Sequence, residues 1–473
     1  MTDANEDVLR VPTKPQNRRH FVMLWLAAMA AIAYLCRTSI SVVEKSIRAD
    51  LGLSESAMGM ILGPAFFWTY ALAQIPAGYA GGRVGARISL PCFACLWSLA
   101  TAVFGIFHWF PLLMLNWMLV GLAQAGAIPV AAKTIADWHP KAERAFASGT
   151  FVAAMSFGAA GGAALTGWLV SWMNWKSVFI LYAIPGIVWA IGFAWWFRNR
   201  PEEHPRITSE ELDLIRERTS TPTIVISASA LSATKESKMP AALEESERTP
   251  WLLLVTSPAV WLICGQQYCR AAGLVFFASW FATFLQESRQ ITVTKSGMLS
   301  VLPHLATAMA CLIGGRVADE VFRRTNNLVW SRKGLAVVSL ILSTVFLFAA
   351  YFVNDATLAV TVISLGVFCA GLAGPSAYAV TMDLGGKHVA SLFATMNMIG
   401  NLGAGMLPLM VPLLRRVIAS NSTLLGLFGG DSWNAVILFI ALLHLVAALC
   451  WYRLRMTGTV FEQSWLAKGS ASA

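Results

Sequence analysis

The sequence predicts an all-helical membrane protein whose twelve spans form two six-helix pseudo-repeats. Three observations predict it. Apolar residues make up 57% of the 473 residues and charged ones only 13%, a balance that no soluble globular domain shows. The apolar residues gather into twelve stretches, each close to the ~20 residues that carry a helix across a bilayer. One ten-residue spacing also recurs at matching points, as GYAGGRVGAR from Gly78 and GRVADEVFRR from Gly315.

The first twenty residues are polar and read as a cytoplasmic N-terminal tail, residues 1–20. Six stretches follow in the N-terminal half, 21–197: residues 21–43, 57–80, 88–107, 111–136, 146–171 and 176–197. The first contains Arg37 and is too long for a secretory apolar core, so no cleaved signal is expected. None alternates as a barrel strand would, and all exceed the length of one, which leaves helices. Residues 198–257 are the long polar interruption and read as a cytoplasmic linker. It opens with a short amphipathic helix capped by Thr208, with Glu211 three residues on, and continues from Thr219 to Thr249 as a Ser/Thr/Ala-rich connector. Six more stretches make the C-terminal half, 258–452: residues 258–285, 297–314, 335–353, 357–381, 389–414 and 432–452. Residues 453–473 are a cytoplasmic tail.

Lys and Arg crowd one set of loops, among them Arg18, Arg19, Arg83, Arg87, Arg144, Arg323, Arg324, Arg332 and Arg453. That bias puts both termini in the cytoplasm and accounts for most of the net charge of +10. With no soluble basic domain to carry it, nucleic-acid binding is not expected. All eight cysteines lie in the apolar stretches, where they act as small apolar side chains. Cys92 and Cys95 have CxxC spacing, but no His or second Cys pair stands near, so no metal or redox cofactor is expected. HExxH, GxSxG, GxxxxGK[ST] and a membrane aspartate pair are all missing, so an enzyme is the weakest reading.

Two arginines lie mid-span at corresponding places, Arg37 in the first stretch and Arg270 in the seventh, while no Asp or Glu falls within the twelve stretches as delimited. A charge inside the membrane costs several kcal/mol and usually serves a pathway or ligand. A guanidinium fork matches carboxylate or phosphate, so the expected partner is a small anion. Tyr34, Gln74, Gln124, Gln266, Gln267, Asn397 and Asn401 could either bond substrate hydroxyls or tie helix to helix. His304 could take up a proton in place of a carboxylate, as could His444 or the substrate itself, or it is a histidine bonded between helices. His444 reads as structural, near a lipid-facing span. Lys133 reads as a gate or a snorkelling side chain.

The repeated motif, a glycine at a close helix contact followed by basic residues, resembles the loop signature of the major facilitator superfamily of transporters. GLAQAGAIPVAA from Gly121 and GLAGPSAYAV from Gly371 repeat between the halves as well. Five stretches resemble the anion:cation symporter branch: AYLCRTSISVV around Arg37, LGLSESAMGMILGPAFFWTYALAQIPAG, PKAERAFASG, NRPEEHPRITSEEL and SWFATFLQESR. The resemblance implies the major facilitator fold and transport of sugar acids or other carboxylates, with a proton or sodium as coupling ion. It implies that Arg37 and Tyr70 contact the substrate, and that Gly78, Arg83, Arg87, Gly315, Asp319, Arg323 and Arg324 gate the cycle. A plasma (inner) membrane location and a monomer are expected. Cys36 and Gln124 stand where that branch carries acidic residues, which speaks against proton symport of its usual kind. Paired arginines on the first and seventh spans with a glutamine, Gln124, on the fourth are similar to the organophosphate:phosphate antiporters, and anion exchange is the second reading.

Overall fold

The computed structural model describes residues 17–140, 143–217, 251–327, 329–385, 389–456 and 458–460. Within them, eleven helices are long and apolar enough to cross a membrane, and a bent pair makes a twelfth. We number the spans α1 (Arg18–Leu51), α2 (Glu55–Val84), α3 (Ala86–Phe104), α4 (Phe110–Trp138), α5 (Arg144–Leu169), α6 (Trp175–Trp196), α7 (Pro258–Ser279 and Phe281–Ser288), α8 (Val293–Thr325), α9 (Val329–Ala350), α10 (Ala356–Gly385), α11 (Val389–Ala419) and α12 (Ser432–Arg453). The protein is integral to the membrane.

Breaks in the helices follow from their sequence. Pro64 has no amide hydrogen to give the turn before it, and residues Ile61–Ala65 of α2 widen into a π turn there. α7 bends by 59° at Trp280, whose indole Nε1 donates to the Pro408 carbonyl 3.2 Å away on α11. α1 ends where Gly52 takes the left-handed conformation (φ 63°) and its amide caps Arg48, as a glycine C-cap does.

Small residues let the helices touch. A Cβ on Gly158 would stand 2.2 Å from the Ala31 carbonyl oxygen and one on Gly162 2.9 Å from the Leu35 Cα. The glycine-rich run of α5 therefore packs directly on α1. Between the halves, Gly59 and Gly63 of α2 meet Pro408 and Gly405 of α11, and Gly167 of α5 meets Gly297 of α8.

The amphipathic helix after α6 forms over Ser209–Glu217, and the Glu211 amide donates to the Thr208 hydroxyl at 3.4 Å, as the spacing predicted. It docks on the start of α1: Arg19 pairs with Glu211 at 3.4 Å and with Glu143 at 2.9 Å. The remainder of the linker, 218–250, and the tail 461–473 lie outside the described residues.

Candidate functional site

Arg37 sits on the face of α1 that looks at α2. Its guanidinium carbon lies 4.3 Å from the ring centres of both Phe66 and Phe67 and 5.3 Å from that of Tyr34. This is an aromatic cage of the kind that holds a cation by its ring faces. Tyr70 is buried one turn on and stacks on Phe66 at 5.8 Å, within electrostatic reach of Arg37 and of Tyr378 on α10.

Arg270 is buried at the corresponding point of α7. Its Nη2 donates to Gln267 Oε1 at 2.8 Å, a Cβ on Gly374 of α10 would lie 3.6 Å from its Nη1, and its Nε has no hydrogen-bond partner. Among the described residues, neither Arg37 nor Arg270 is paired with a carboxylate.

Polar side chains of both halves meet near the two arginines. Tyr70 and Gln74 lie one turn apart on α2. Asn397 of α11 donates to Gln74 Oε1 across the halves at 2.8 Å. Gly400, one turn beyond Asn397, abuts Gln267, with only 2.8 Å from a Cβ there to Gln267 Cγ. Gln267 then holds Arg270. Tyr34, Arg37, Gln74, Asn397 and Asn401 are all partly exposed although they lie mid-span.

Other predicted residues are committed elsewhere. Gln124 donates to the Ala33 carbonyl of α1 at 3.2 Å, and Asn401 to the Asn397 carbonyl of its own helix at 2.9 Å. Cys36 faces α6, packed on Tyr182 and Val178. Gln266 is buried with neither amide atom partnered, and His304 is buried with its Nε2 unpartnered. His444 does not face lipid: it is fully buried, 2.9 Å from the Ser343 hydroxyl of α9.

The two loop motifs differ. Gly78 packs on Pro129 of α4, but in the second copy Gly314 makes the close contact, with Leu372 and Pro375, while Gly315 faces open space. Arg83 lies over Tyr79. Arg87 binds the Ala194 carbonyl and the Asn199 side chain at the end of α6. Arg323 and Arg324 both pair with Glu320 on their own helix. The side chain of Asp319 lies outside those described. A cavity of about 710 Å³ lined by Gly82, Arg83, Lys133, Asp137 and Glu202 opens at this end of the first half, away from the two central arginines.

One expectation is overturned. Acidic residues do enter the spans: α1 does not stop at the last apolar residue but runs to Leu51, and Glu44 within it is fully buried. The helix continues because its charges are compensated. Glu44 pairs with Arg48 one turn on at 2.9 Å and accepts from the Thr283 hydroxyl of α7 at 2.8 Å. Arg48 also binds Glu287 of α7 at 2.6 Å and Glu55 of α2 at 3.1 Å. Arg415 of α11 closes the ring on Glu55 and Glu287, at 2.5 and 3.0 Å, and lies over the Trp433 ring. This network joins the two halves at the end of the bundle away from the termini.

The sequence matches the profile of the Major Facilitator Superfamily over residues 26–408. The chain belongs to that family. It is 28% identical to a probable galactarate/D-glucarate transporter of Bacillus subtilis over 91% of its own length and 92% of that protein's. It is equally identical to a probable sulfoacetate transporter of Cupriavidus necator, over 80% and 83%, and to a D-galactonate transporter of Escherichia coli, over 84% and 89%. Among solved structures it is similar in fold to a bacterial homologue of the human lysosomal transporter Spinster, with a TM-score of 0.72 at 19% identity over 92% of this chain and 97% of that one. A D-xylose-proton symporter structure follows, with a TM-score of 0.67 at 14% identity over 92% and 98%.

Proposed function

We propose that this protein is a secondary transporter that carries a small organic anion, a sugar acid or other carboxylate, across the membrane by alternating access. The observation that carries this reading is the pair of mid-span guanidiniums, one per half, without a carboxylate among the described residues to neutralise either. Relatives named for sulfoacetate, galactarate and galactonate support it, and nothing in the family points to an enzyme. Arg37 and Arg270 hold the anion; Tyr70, Gln74, Gln267 and Asn397 read what lies between. We place the protein in the inner membrane of a bacterium as a monomer, with both termini cytoplasmic on the Lys/Arg bias. The Glu44, Arg48, Glu55, Glu287 and Arg415 network is then an outer gate, closed here, and the residues of the two loop motifs act at the cytoplasmic end.

Anion exchange is the second reading, because Gln124 and Cys36 replace the carboxylates of the resembling branch and an exchanged anion needs none. The test is uptake into liposomes holding purified protein. Saturable uptake of a labelled sugar acid, lost in Arg37→Ala, is the expected result; acceleration by anion preloaded on the far side, with no response to a proton or sodium gradient, would select exchange. Uptake in Arg37→Ala at the wild-type rate would remove the arginine from the site and the proposal with it.

A further inference from the structure

We propose that Glu44 is a proton-binding site: the distal network closes with one proton on Glu44, taken from the water on that side, and returns it on opening. This rests on the reading of that network as a gate. The ring holds three carboxylates, Glu44, Glu55 and Glu287, against two guanidiniums, Arg48 and Arg415, so with every group ionised one negative charge is left over. The surplus does not fall evenly. Glu55 and Glu287 are each met by both arginines, and both side chains are partly open to solvent. Glu44 meets Arg48 alone and is wholly buried. Its Oε1 stands 2.9 Å from Arg48 Nε but out of line with it, and neither atom has a hydrogen-bond partner. A buried carboxylate compensated this incompletely takes a proton rather than stay charged.

The geometry provides for that proton. Glu44 Oε2 lies 2.8 Å from the Thr283 hydroxyl of α7, and a hydroxyl can accept as well as donate. A proton on Oε2 is given to Thr283 Oγ1, Oε1 stays toward Arg48, and the ring is left with two carboxylates for two guanidiniums. Glu44 and Thr283 belong to opposite halves, so the carboxyl is enclosed only while the halves meet at this end. Once they part it faces water, where its charge is solvated. The charges that face Glu44 are Arg48 of its own helix, Glu55 of α2 and Glu287 of α7, and Arg415 of α11 pairs with the last two. From α5 and α8, Ala163 and Val293 pack around Val42, while Lys45 and Lys295 are exposed. A histidine also stands at this end, His108, 3.2 Å from Lys176, which pairs with Asp50 at 2.8 Å within the first half.

The test reads the gate itself. Nitroxide labels go on Ala49→Cys and Ser420→Cys, exposed residues at the distal ends of α1 and α11, in purified full-length protein whose native cysteines are replaced. Pulsed electron resonance then measures their separation from about pH 5, where a solvated glutamate is already ionised, to about pH 8. Because closing binds a proton, acid favours the closed gate: the closed-to-open ratio should rise as pH falls, by up to about tenfold per unit. Glu44→Gln, neutral throughout, should hold the ratio within about twofold across the range. Glu55→Gln, which leaves two carboxylates for two guanidiniums, should cut the slope below about threefold per unit. A wild-type ratio indifferent to pH, or a slope unchanged in Glu44→Gln, as His108 would give, overturns the inference and leaves anion transport standing. A separation that never changes while a labelled sugar acid still enters liposomes removes the gate reading and this inference with it. Uptake of no anion by the wild type removes the transport reading, and the inference falls with that too. If Glu44→Gln fails to fold, the wild-type series and Glu55→Gln decide alone.

Discussion

Arg37 and Arg48 sit three turns apart on the same helix, and their surroundings are opposite. Arg48 is met by Glu44, Glu55 and Glu287, and its partner across the halves, Arg415, by Glu55 and Glu287. Arg37 and its counterpart Arg270 meet aromatic rings, tyrosines and a glutamine, but no carboxylate. Two pairs of guanidiniums thus span the same interface, one satisfied by the protein and one left for something that is not protein. The distal pair is met by three carboxylates, Glu44, Glu55 and Glu287; among the described residues the central pair is met by none. Compensation, more than the presence of an arginine, separates a gate from a binding site here.

The largest effect expected from breaking that contrast is at the centre. Arg37→Ala and Arg270→Ala should each weaken anion binding about 100-fold, the loss of a charge-assisted hydrogen-bonded pair worth about 2–3 kcal/mol, while membrane insertion persists, as calorimetric or thermal-shift titration of each variant will read. Arg37→Lys should recover little, since the planar fork and its ring contacts are lost. At the distal end, Arg415→Gln should leave binding within about threefold and slow turnover about fivefold, because one cross-half ion pair of a gate contributes on the order of 1 kcal/mol to one conformation and little to ligand contact. Parallel titration and counterflow on that variant measure the split.

Glu44→Gln sharpens the comparison differently. It removes the one fully buried carboxylate of the distal network while keeping an acceptor for Thr283, so exchange of anion for anion should survive. Any accumulation driven by a proton gradient should fall to the undriven level; drive that persists unchanged in E44Q would put the proton elsewhere, with His304→Ala the next variant to assay. The smallest effect belongs to the cage: Phe67→Leu should weaken anion binding only about threefold, a cation–π contact being worth roughly 0.5–1 kcal/mol, and a null result there would mean that Phe66 and Tyr34 hold Arg37 unaided.

The spans, the central arginines and the linker helix were legible because each leaves a local mark: an apolar run, a charge inside one, Thr208 three residues before Glu211. Glu44 was missed for a physical reason. Counting apolar residues ends a span at the first charge, whereas this helix runs on to its Gly52 cap, and the i,i+4 spacing of Glu44 and Arg48 was the signal that α1 went on. The rest of the network had no mark to read: Arg48 meets Glu287 from 239 residues away, and Arg415 meets Glu55 from 360. Gln124 and Asn401, polar and mid-span, could not be told in sequence from Gln74 and Asn397; only packing showed that the first two bind backbone carbonyls. The second loop motif misled by one residue, since Gly314 and Gly315 are the same letter and the direction of each is set by the helix that lies across it.

The most direct measurement is the affinity of one anion, the tightest found among the sugar acids and sulfonates, for wild type, Arg37→Ala and Arg415→Gln in the same detergent, with turnover of each in liposomes. The account predicts binding weakened about 100-fold in Arg37→Ala and within about threefold of wild type in Arg415→Gln, with turnover slowed in both. Equal loss of binding in the two variants, or binding kept in Arg37→Ala, would contradict it.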